Sequence, residues 1–319
     1  MNYGKIKGLE KKLSRIIFGC AIPPMIEGKN VNELLDAMYD LGINSFDSAE
    51  NYGLSEVSLG MWMKERQNRD ELVIITKGCH PYDGKDRVNP EELRKDIEQS
   101  FERLGTDYID IYLLHRDDLN VEVGPLVEVL NEYYKAGKIG VFGGSNWTHE
   151  RLEAANQYAK KHGLQGFMVS SPNYGLCHQV NDPWGGSAGC TSLSGEENAD
   201  ARAWYVENEM PVIAYSSLGR GMFSGKVRSD DMEGAKTILD PNAAHAYCHE
   251  ENFKRLERVE TLAKEKNCTI AQIALAWMYE QELNVFPVVS ASTKERMMEN
   301  VESLAVKLSE DERKWLNLE

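Results

Sequence analysis

Four side chains with complementary acid–base chemistry lie at or just after the ends of short apolar, strand-like runs. Asp47 ends INSFD, and Tyr52 follows it in DSAENYG. Lys77 ends LVIITK, and His115 ends DIYLLH. A carboxylate, a phenol, an ammonium and an imidazole delivered by successive strand ends can transfer protons, with the phenol as the candidate acid. We expect a nearby cation to lower the pKa of this phenol from about 10 toward neutrality.

The segments that must position these side chains alternate between strand-like and helix-like patterns, with a spacing of about 30 residues that is typical of a βα repeat. Helical windows that begin at Val31 and Pro90 show apolar residues at i, i+3 and i+4. Asn89 and Gly105 are the expected start and stop signals of the second window. Eight βα units favour a closed (β/α)8 TIM barrel over an open doubly wound sheet, and a barrel places all strand ends on one face. The candidate strands are Arg15–Gly19, Ile43–Asp47, Leu72–Thr76, Ile109–Leu114, Ile139–Gly143, Gly166–Ser170 (the weakest), Pro211–Tyr215 and Val285–Val289.

Three segments lie outside the regular repeat. A possible N-terminal hairpin precedes the first helix. Two long irregular stretches, Gly175–Gly195 and roughly Met222–Asn252, are predicted to be βα-loop insertions, and insertions of this length in a compact fold tend to act as functional lids. The sequence shows no linker and no second core, so we expect residues 1–319 to form a single barrel domain.

Composition excludes several classes of function. The chain has 319 residues, 42% of them hydrophobic, and a formal net charge of −15. This charge argues against nucleic acid as a partner, because phosphate backbones favour a basic surface. No apolar run approaches the roughly 18 residues that a membrane span requires. The six cysteines are scattered and the N-terminus lacks the apolar core of a signal peptide, so we expect a cytoplasmic protein with reduced thiols.

The remaining strand ends also carry polar side chains. The fifth yields Ser145 and Asn146, the seventh Tyr215 and Ser216, and the eighth Ser290 with Ser292. Such groups are unfavourable in a core but suit a ligand site. Taken singly, each could equally be a helix N-cap.

At this point the chain resembles the aldo-keto reductase superfamily from about residue 12 to residue 305. The matching stretches are FDSAENYG, the lysine of TKG, YLLH, GGSN, AYSSLGRG and SASTKERMMEN. The resemblance implies that Tyr52 donates a proton to the substrate oxygen while a nicotinamide delivers hydride to the carbonyl carbon. It also implies that Lys77, paired with Asp47, stabilises the developing phenolate, and that His115 orients the carbonyl.

The resemblance also implies a set of cofactor contacts. Arg296, with Lys294 close by, suggests a 2′-phosphate and therefore NADPH, with NADH as the alternative. The chain departs from the family pattern at Ser171, where relatives often have Gln, and at Ser290, where some have Lys or Arg. The implied cofactor-binding residues are Ser145, Asn146, Ser171, Tyr215, Ser216, Leu218, Gly219, Gly221, Ser290, Ser292, Arg296, Glu299 and Asn300.

The substrate pocket should come from loops that follow the strands. Arg116, Asp117, Trp147 and Trp184 are the candidates. Charged residues directly after His115 suggest a sugar or cyclitol, and Trp184 could stack on a sugar face. Asp117 could equally cap the following helix.

A histidine and cysteine cluster raises the question of a metal. His245 and His249 are spaced i, i+4 with Cys248 beside them, a spacing that can ligate zinc. There is no second cluster and no neighbouring Glu motif, so we expect no metal and interpret these residues as solvated side chains on an insertion.

These observations predict an NADPH-dependent carbonyl reductase that acts on a small-molecule aldehyde or ketone. Two alternatives stay open. One is a nucleotide-binding, redox-sensing module with slow turnover, and the other is the same site working mainly as an alcohol or sugar dehydrogenase. The sequence does not indicate an oligomeric state.

Overall fold

Eight parallel strands close into a barrel in the computed structural model, which describes residues 1–184 and 188–319. The barrel order is β10-β3-β4-β5-β6-β7-β8-β9, so each strand pairs with its neighbours in sequence and the last strand closes on the first. This confirms the predicted (β/α)8 architecture. The strands are β1 (Tyr3–Gly4), β2 (Leu13–Ser14), β3 (Ile17–Gly19), β4 (Ser45–Asp47), β5 (Val73–Gly78), β6 (Ile109–Leu114), β7 (Ile139–Ser145), β8 (Val169–Ser171), β9 (Val212–Ala214) and β10 (Val285–Val289).

Helices follow the strands and cover the outside of the barrel. The helix that begins at Pro90 has the start and stop residues that the sequence predicted. The Asn89 side chain accepts hydrogen bonds from the N–H groups of Glu91 and Glu92, and Gly105 ends the helix at φ +61°. The helices are α1 (Pro23–Ile26), α2 (Asn32–Asp40), α3 (Ser55–Arg66), α4 (Pro90–Leu104), α5 (Val123–Lys135), α6 (His149–His162), α7 (Ala199–Glu207), α8 (Met232–Ile238), α9 (Pro241–Tyr247), α10 (Glu250–Lys266), α11 (Ile270–Tyr279), α12 (Lys294–Glu302) and α13 (Glu310–Leu316).

The strands are buried on both faces, and alternate residues divide between two cores. Residues that point outward, such as Phe46, Ile74 and Phe142, belong to the large core between sheet and helices. Residues that point inward fill the barrel and form a separate cluster with Val73, Ile75 and others. Because side chains alternate along a strand, the next inward residue after Val73 and Ile75 on β5 is Lys77.

The predicted N-terminal hairpin is present and closes the bottom of the barrel. β1 pairs antiparallel with β2 through Tyr3–Ser14 and Gly4–Leu13. Ile6 and Leu13 of the hairpin segment are buried in the interior cluster of the barrel. The lower end is therefore filled with apolar side chains, so the interior opens only at the carboxyl ends of the strands.

The two insertions lie at the carboxyl ends of β8 and β9. The first has irregular structure within its described residues, and its Trp184 lines the cavity at the barrel opening. The second, predicted to be irregular, contains the short helices α8 and α9, and α10 begins at its end. Asp231 and Asp240 cap α8 and α9, a local signal that the sequence interpretation passed over. Among the described helices none is long and apolar enough to cross a membrane.

Candidate active site

The polar residues at the carboxyl ends of the strands form one layer above the apolar barrel interior. Asp47 ends β4, Lys77 lies near the end of β5, and His115 directly follows β6. Tyr52 lies on the loop between β4 and α3. The strand pairing therefore gathers the four residues on which the sequence interpretation concentrated.

Lys77 and Asp47 form a buried ion pair. The Lys77 Nζ donates to the Asp47 Oδ1 at 2.7 Å and to the Ser48 carbonyl oxygen at 2.8 Å. The two residues are only 3% and 5% exposed. Burial lowers the pKa of Lys77, but the Asp47 carboxylate and the Tyr52 phenol outweigh burial and the net pKa shift is upward. Lys77 is therefore held as a cation.

The Tyr52 ring lies between the ammonium and the imidazole. Its centroid is 5.2 Å from the Lys77 Nζ and 5.6 Å from the His115 ring, which it meets edge-on at 80°. Burial raises the pKa of Tyr52 above its usual value, while Lys77 opposes this effect. The expected lowering of this pKa is therefore wrong for the structure as it stands, because desolvation of the phenolate outweighs the neighbouring charge. The phenol carries its proton at neutral pH.

His115 is held neutral, and one of its ring nitrogens has no hydrogen-bond partner in the described part of the chain. Burial lowers the pKa of His115 well below its usual value, and Lys77 and Arg116 lower it further. Its Nδ1 has no hydrogen-bond partner within residues 1–184 and 188–319, although the residue is only 6% exposed. The His80 ring lies 4.9 Å away.

Asn146 and Tyr215 form a hydrogen-bonded pair beside His115. The Asn146 Nδ2 donates to the His115 carbonyl oxygen at 3.2 Å, and the Tyr215 hydroxyl donates to the Asn146 Oδ1 at 2.7 Å. Asn146 takes up φ +60°, a conformation that Asn tolerates better than most residues. The Ser145 Oγ donates to the Ser171 carbonyl oxygen at 2.9 Å and so ties β7 to β8.

These residues line a single cavity of about 1050 Å³ at the open end of the barrel. It extends from Tyr52 at one end to the first turn of α12 at the other. The predicted residues that line it are Asp47, Tyr52, Lys77, His115, Arg116, Ser145, Asn146, Trp184, Tyr215, Ser216, Leu218, Gly221, Ser290, Ser292, Arg296, Glu299 and Asn300.

Four predicted residues do not line the cavity. Asp117 accepts two hydrogen bonds from the Arg151 guanidinium, at 2.7 and 2.8 Å, and is only 1% exposed. Trp147 is fully buried and packs on Phe167 at 5.1 Å between ring centroids. Both point away from the barrel axis into helix packing, which corrects their assignment to the substrate pocket.

The other two are predicted cofactor residues that lie just behind the cavity wall. Ser171 is buried and its Oγ has no hydrogen-bond partner in the described part of the chain. Gly219 takes up φ +58°, and a Cβ added there would lie 2.6 Å from the Cys177 Sγ. A glycine is required at this position because φ is positive and the Cys177 Sγ lies too close for a side chain.

At the α12 end of the cavity, the cation that accompanies Arg296 is not the one that the sequence suggested. Arg296 lines the cavity, and its Nη2 donates to the Ser224 carbonyl oxygen at 3.3 Å. Lys294 instead forms an ion pair with Asp40 at 3.2 Å and does not line the cavity. Lys226 lines it and supplies the second positive charge near this end.

Sequence reasoning missed several lining residues. Arg220 and Asp240 form an ion pair of 3.1 Å between the segment after β9 and the second insertion. Arg220 belongs to the AYSSLGRG stretch already noted, but its partner lies in the second insertion, whose helix-capping signals the sequence interpretation passed over. Asn51 also lines the cavity, and its position directly before Tyr52 in sequence was a signal that could have identified it. His80, which follows Lys77 closely in sequence, lines the cavity as well.

The histidine and cysteine cluster on the second insertion contacts the first insertion through His249. His249 is the N-cap residue of α10, and its Nε2 lies 3.0 Å from the His178 carbonyl oxygen. Among residues 1–184 and 188–319, no group of three or more His, Cys, Asp or Glu side chains is arranged to hold a metal ion.

Comparison with known proteins connects this geometry to a family. A model of the aldo/keto reductase family matches residues 15–317. An aryl-alcohol dehydrogenase of Pestalotiopsis microspora is 29% identical over 290 residues, which cover 88% of this chain and 70% of that protein. Norsolorinic acid reductase B of Dothistroma septosporum (strain NZE10 / CBS 128990) is 30% identical over 294 residues, which cover 88% of this chain and 69% of that protein.

Solved structures agree on the fold. The crystal structure of a thermostable aldo-keto reductase in complex with the inhibitor epalrestat superimposes with a TM-score of 0.73 at 23% identity. The superposition covers 100% of this chain and 99% of the other. The chain therefore belongs to the aldo/keto reductase family and is an oxidoreductase of that type.

Proposed function

We propose that the protein catalyses the NADPH-dependent reduction of an aldehyde or ketone to the alcohol, with the proton supplied by Tyr52. The observation that carries this proposal is the position of the Tyr52 phenol, between a buried ammonium and a neutral imidazole on the wall of one cavity. Family membership supports the reaction class.

Tyr52 is suited to donate a proton at neutral pH. Burial raises the pKa of Tyr52, so the phenol keeps its proton until a stronger base forms beside it. An alkoxide that develops on a carbonyl oxygen is such a base. As the proton leaves, the Lys77 ammonium stabilises the phenolate, and Asp47 keeps Lys77 charged and in place through the 2.7 Å contact.

His115 is suited to position the substrate oxygen. The low pKa of His115 keeps the ring uncharged, so it acts as a hydrogen-bonding group rather than as a second acid. Its position edge-on to Tyr52 places two polar side chains beside the same volume. We infer that together they bind the carbonyl oxygen, which gains charge in the transition state.

The cavity fits a nicotinamide dinucleotide, which supplies the hydride when bound. Asn146 and Tyr215 would hold the nicotinamide end, and the buried, unpartnered Ser171 hydroxyl lies behind them. Gly221, at φ +108°, lines the cavity without a side chain, which leaves room for the phosphates. Arg296 and Lys226 line the opposite end, which favours the additional phosphate of NADPH.

For the substrate we propose an aromatic carbonyl compound. Relatives named aryl-alcohol dehydrogenase and norsolorinic acid reductase support this class, and Trp184 and Tyr215 offer an aromatic wall with ring centroids 6.0 Å apart. The sugar or cyclitol interpretation depended partly on Asp117, which is paired with Arg151 and does not reach the cavity.

Replacement of the proton donor tests the proposal. Tyr52→Phe should lower kcat for benzaldehyde reduction by about 10²–10⁴-fold, the usual contribution of a positioned general acid. The Kd for NADPH, from fluorescence titration, should change by less than about twofold, because the phenol oxygen alone is removed. Tyr82→Phe is the matched control: its hydroxyl donates to Glu50 at 2.6 Å and lies outside the cavity lining, so this variant should keep its activity.

Unchanged turnover in Tyr52→Phe would contradict the proposed mechanism. Tight NADPH binding by the wild type without turnover of any compound in a broad carbonyl panel would instead favour the redox-sensing alternative. Faster oxidation of benzyl alcohol than reduction of benzaldehyde at matched cofactor saturation would favour the dehydrogenase direction.

A further inference from the structure

At the reactive end of the cavity, the Arg116 guanidinium is a buried charge that has no acidic partner among the residues that the structure describes. Arg116 follows His115 directly and is only 6% exposed. Within the described part of the chain, its guanidinium makes one hydrogen bond, from Nη1 to the His115 carbonyl oxygen at 3.0 Å. A guanidinium carries five N–H donors, so most of them stay available. A buried charge of this kind is costly unless it is paired.

Two other arginines on the same face of the barrel have acidic partners. Arg151 forms two hydrogen bonds to Asp117, and Arg220 pairs with Asp240. Arg116 makes no ion pair with any Asp or Glu among residues 1–184 and 188–319. The remaining residues of the sequence, Gly185, Gly186 and Ser187, have no carboxylate side chain. The chain as a whole is acidic, at −15, so the unpaired cation does not reflect a shortage of carboxylates.

The groups around Arg116 do not neutralise it. The neighbouring imidazoles of His115 and His80 both have lowered pKa values, mainly through burial, and Arg116 contributes to each shift. Three carboxylates line the cavity: Asp47 pairs with Lys77, Asp240 pairs with Arg220, and Glu299 lies toward the α12 end. None of these three carboxylates forms an ion pair with Arg116.

An aromatic ring lies beside the Arg116 guanidinium. The Trp184 ring centroid lies 5.8 Å from the Arg116 Cζ and 6.0 Å from the Tyr215 ring centroid. A planar substrate can rest against Trp184 while an anionic group on it meets the guanidinium fork, which matches a carboxylate in two parallel hydrogen bonds.

We propose that Arg116 is a specificity-determining residue that selects aromatic carbonyl substrates carrying a carboxylate. The inference rests on the proposed carbonyl reduction and adds the anionic group to its substrate class. Arg116 binds the carboxylate, Trp184 contacts the ring, and Tyr52 and His115 receive the carbonyl oxygen at the other end of the molecule.

Paired substrates test the proposal directly. The probes are the 2-, 3- and 4-carboxybenzaldehydes and their methyl esters, which keep the ring and the aldehyde but remove the charge. For the best isomer, the wild type should show kcat/KM for the acid about tenfold or more above that for the ester, as expected of charge-assisted hydrogen bonds. Arg116→Met should reduce this ratio to about one. Arg116→Lys should retain an intermediate ratio.

Arg228→Met is the matched control for net charge. Arg228 is exposed on the second insertion, pairs with Asp230 at 2.9 Å and does not line the cavity, so its loss should leave the ratio intact. Three results would overturn the proposal: no acid preference in the wild type, a preference that survives in Arg116→Met, or a rise in the Kd for NADPH that accounts for the effect of Arg116→Met.

A binding measurement separates this inference from the proposed reaction. If neither aldehyde is turned over, the proposed reaction fails, and calorimetry with benzoate in the presence of NADP⁺ decides on Arg116. Benzoate binding that weakens about tenfold in Arg116→Met supports the anion site, while equal binding in both proteins overturns it.

Discussion

The buried pair of Lys77 and Asp47 makes a prediction that separates its structural from its catalytic role. Removal of one partner leaves the other as an isolated charge in a site that is less than a tenth exposed. Breaking a buried pair in this way costs about 3–5 kcal/mol, whereas replacing both partners with neutral groups is often close to neutral. We therefore expect Lys77→Met to destabilise the fold strongly and Lys77→Met/Asp47→Asn to recover much of the loss.

The expected size can be expressed as a melting temperature. An unfolding entropy of about 2.1 cal/mol/K per residue over 319 residues amounts to about 0.67 kcal/mol/K. A loss of 3–5 kcal/mol then lowers Tm by about 4–8 °C in Lys77→Met. The double variant should lie within about 3 °C of wild type by the same conversion.

Catalysis should not recover with stability. Neither variant keeps the ammonium that stabilises the Tyr52 phenolate, so kcat should stay about 10²-fold or more below wild type in both. Differential scanning fluorimetry at pH 7 and steady-state kinetics on the same preparations provide the two readouts. A Tm loss below about 1 °C in Lys77→Met, or a double variant less stable than the single, would refute the isolated-charge reasoning.

Three further predictions address other parts of the structure. The pKa of His115 in the folded protein lies well below its usual 6.5. As the pH falls through 6.5, the unfolded chain therefore binds more protons than the folded protein, and the stability of the fold declines. His115→Asn should show a smaller drop in Tm between pH 7 and pH 5.5 than wild type. Gly143→Ala should lower Tm strongly and reduce the yield of folded protein, because a Cβ at this position would overlap the Val169 carbonyl oxygen of the adjacent strand; a melting curve like that of wild type would show that β7 and β8 can separate. Arg296→Ala should raise the Kd for NADPH by about 10–100-fold while leaving that for NADH within about twofold, and equal losses for both cofactors in fluorescence titrations would show that Arg296 does not distinguish them.

The fold was accessible from sequence because its signals are local. Strands of a barrel buried on both faces appear as short apolar runs, and caps such as Asn89 and Gly105 mark helix ends through their own backbone chemistry. Ile109–Leu114 and Val285–Val289 were predicted with the bounds that the structure gives. Prediction was weakest at β8, which pairs with β9 through Ser170 and Val212 alone.

The second insertion shows where local signals were read incompletely. Its capping residues Asp231 and Asp240 were present, but α8 and α9 are too short to develop an apolar periodicity. Their position over the cavity depends on contacts such as the Arg220–Asp240 ion pair, which joins residues from two separate segments.

The sequence by itself determined the order of the strands and the end of the barrel at which polar side chains gather. Period-two alternation predicts that Asp47, Lys77 and His115 point inward at the ends of their strands, whereas Tyr52, the fourth member of the tetrad, lies on the loop after β4. Tertiary structure alone decided which neighbours of that tetrad face the cavity. Adjacent residues can point in opposite directions, so Arg116 enters the cavity while Asp117 turns to Arg151. It also decided the direction of the Tyr52 pKa shift, since desolvation depends on everything packed around the phenol and not on its nearest charge.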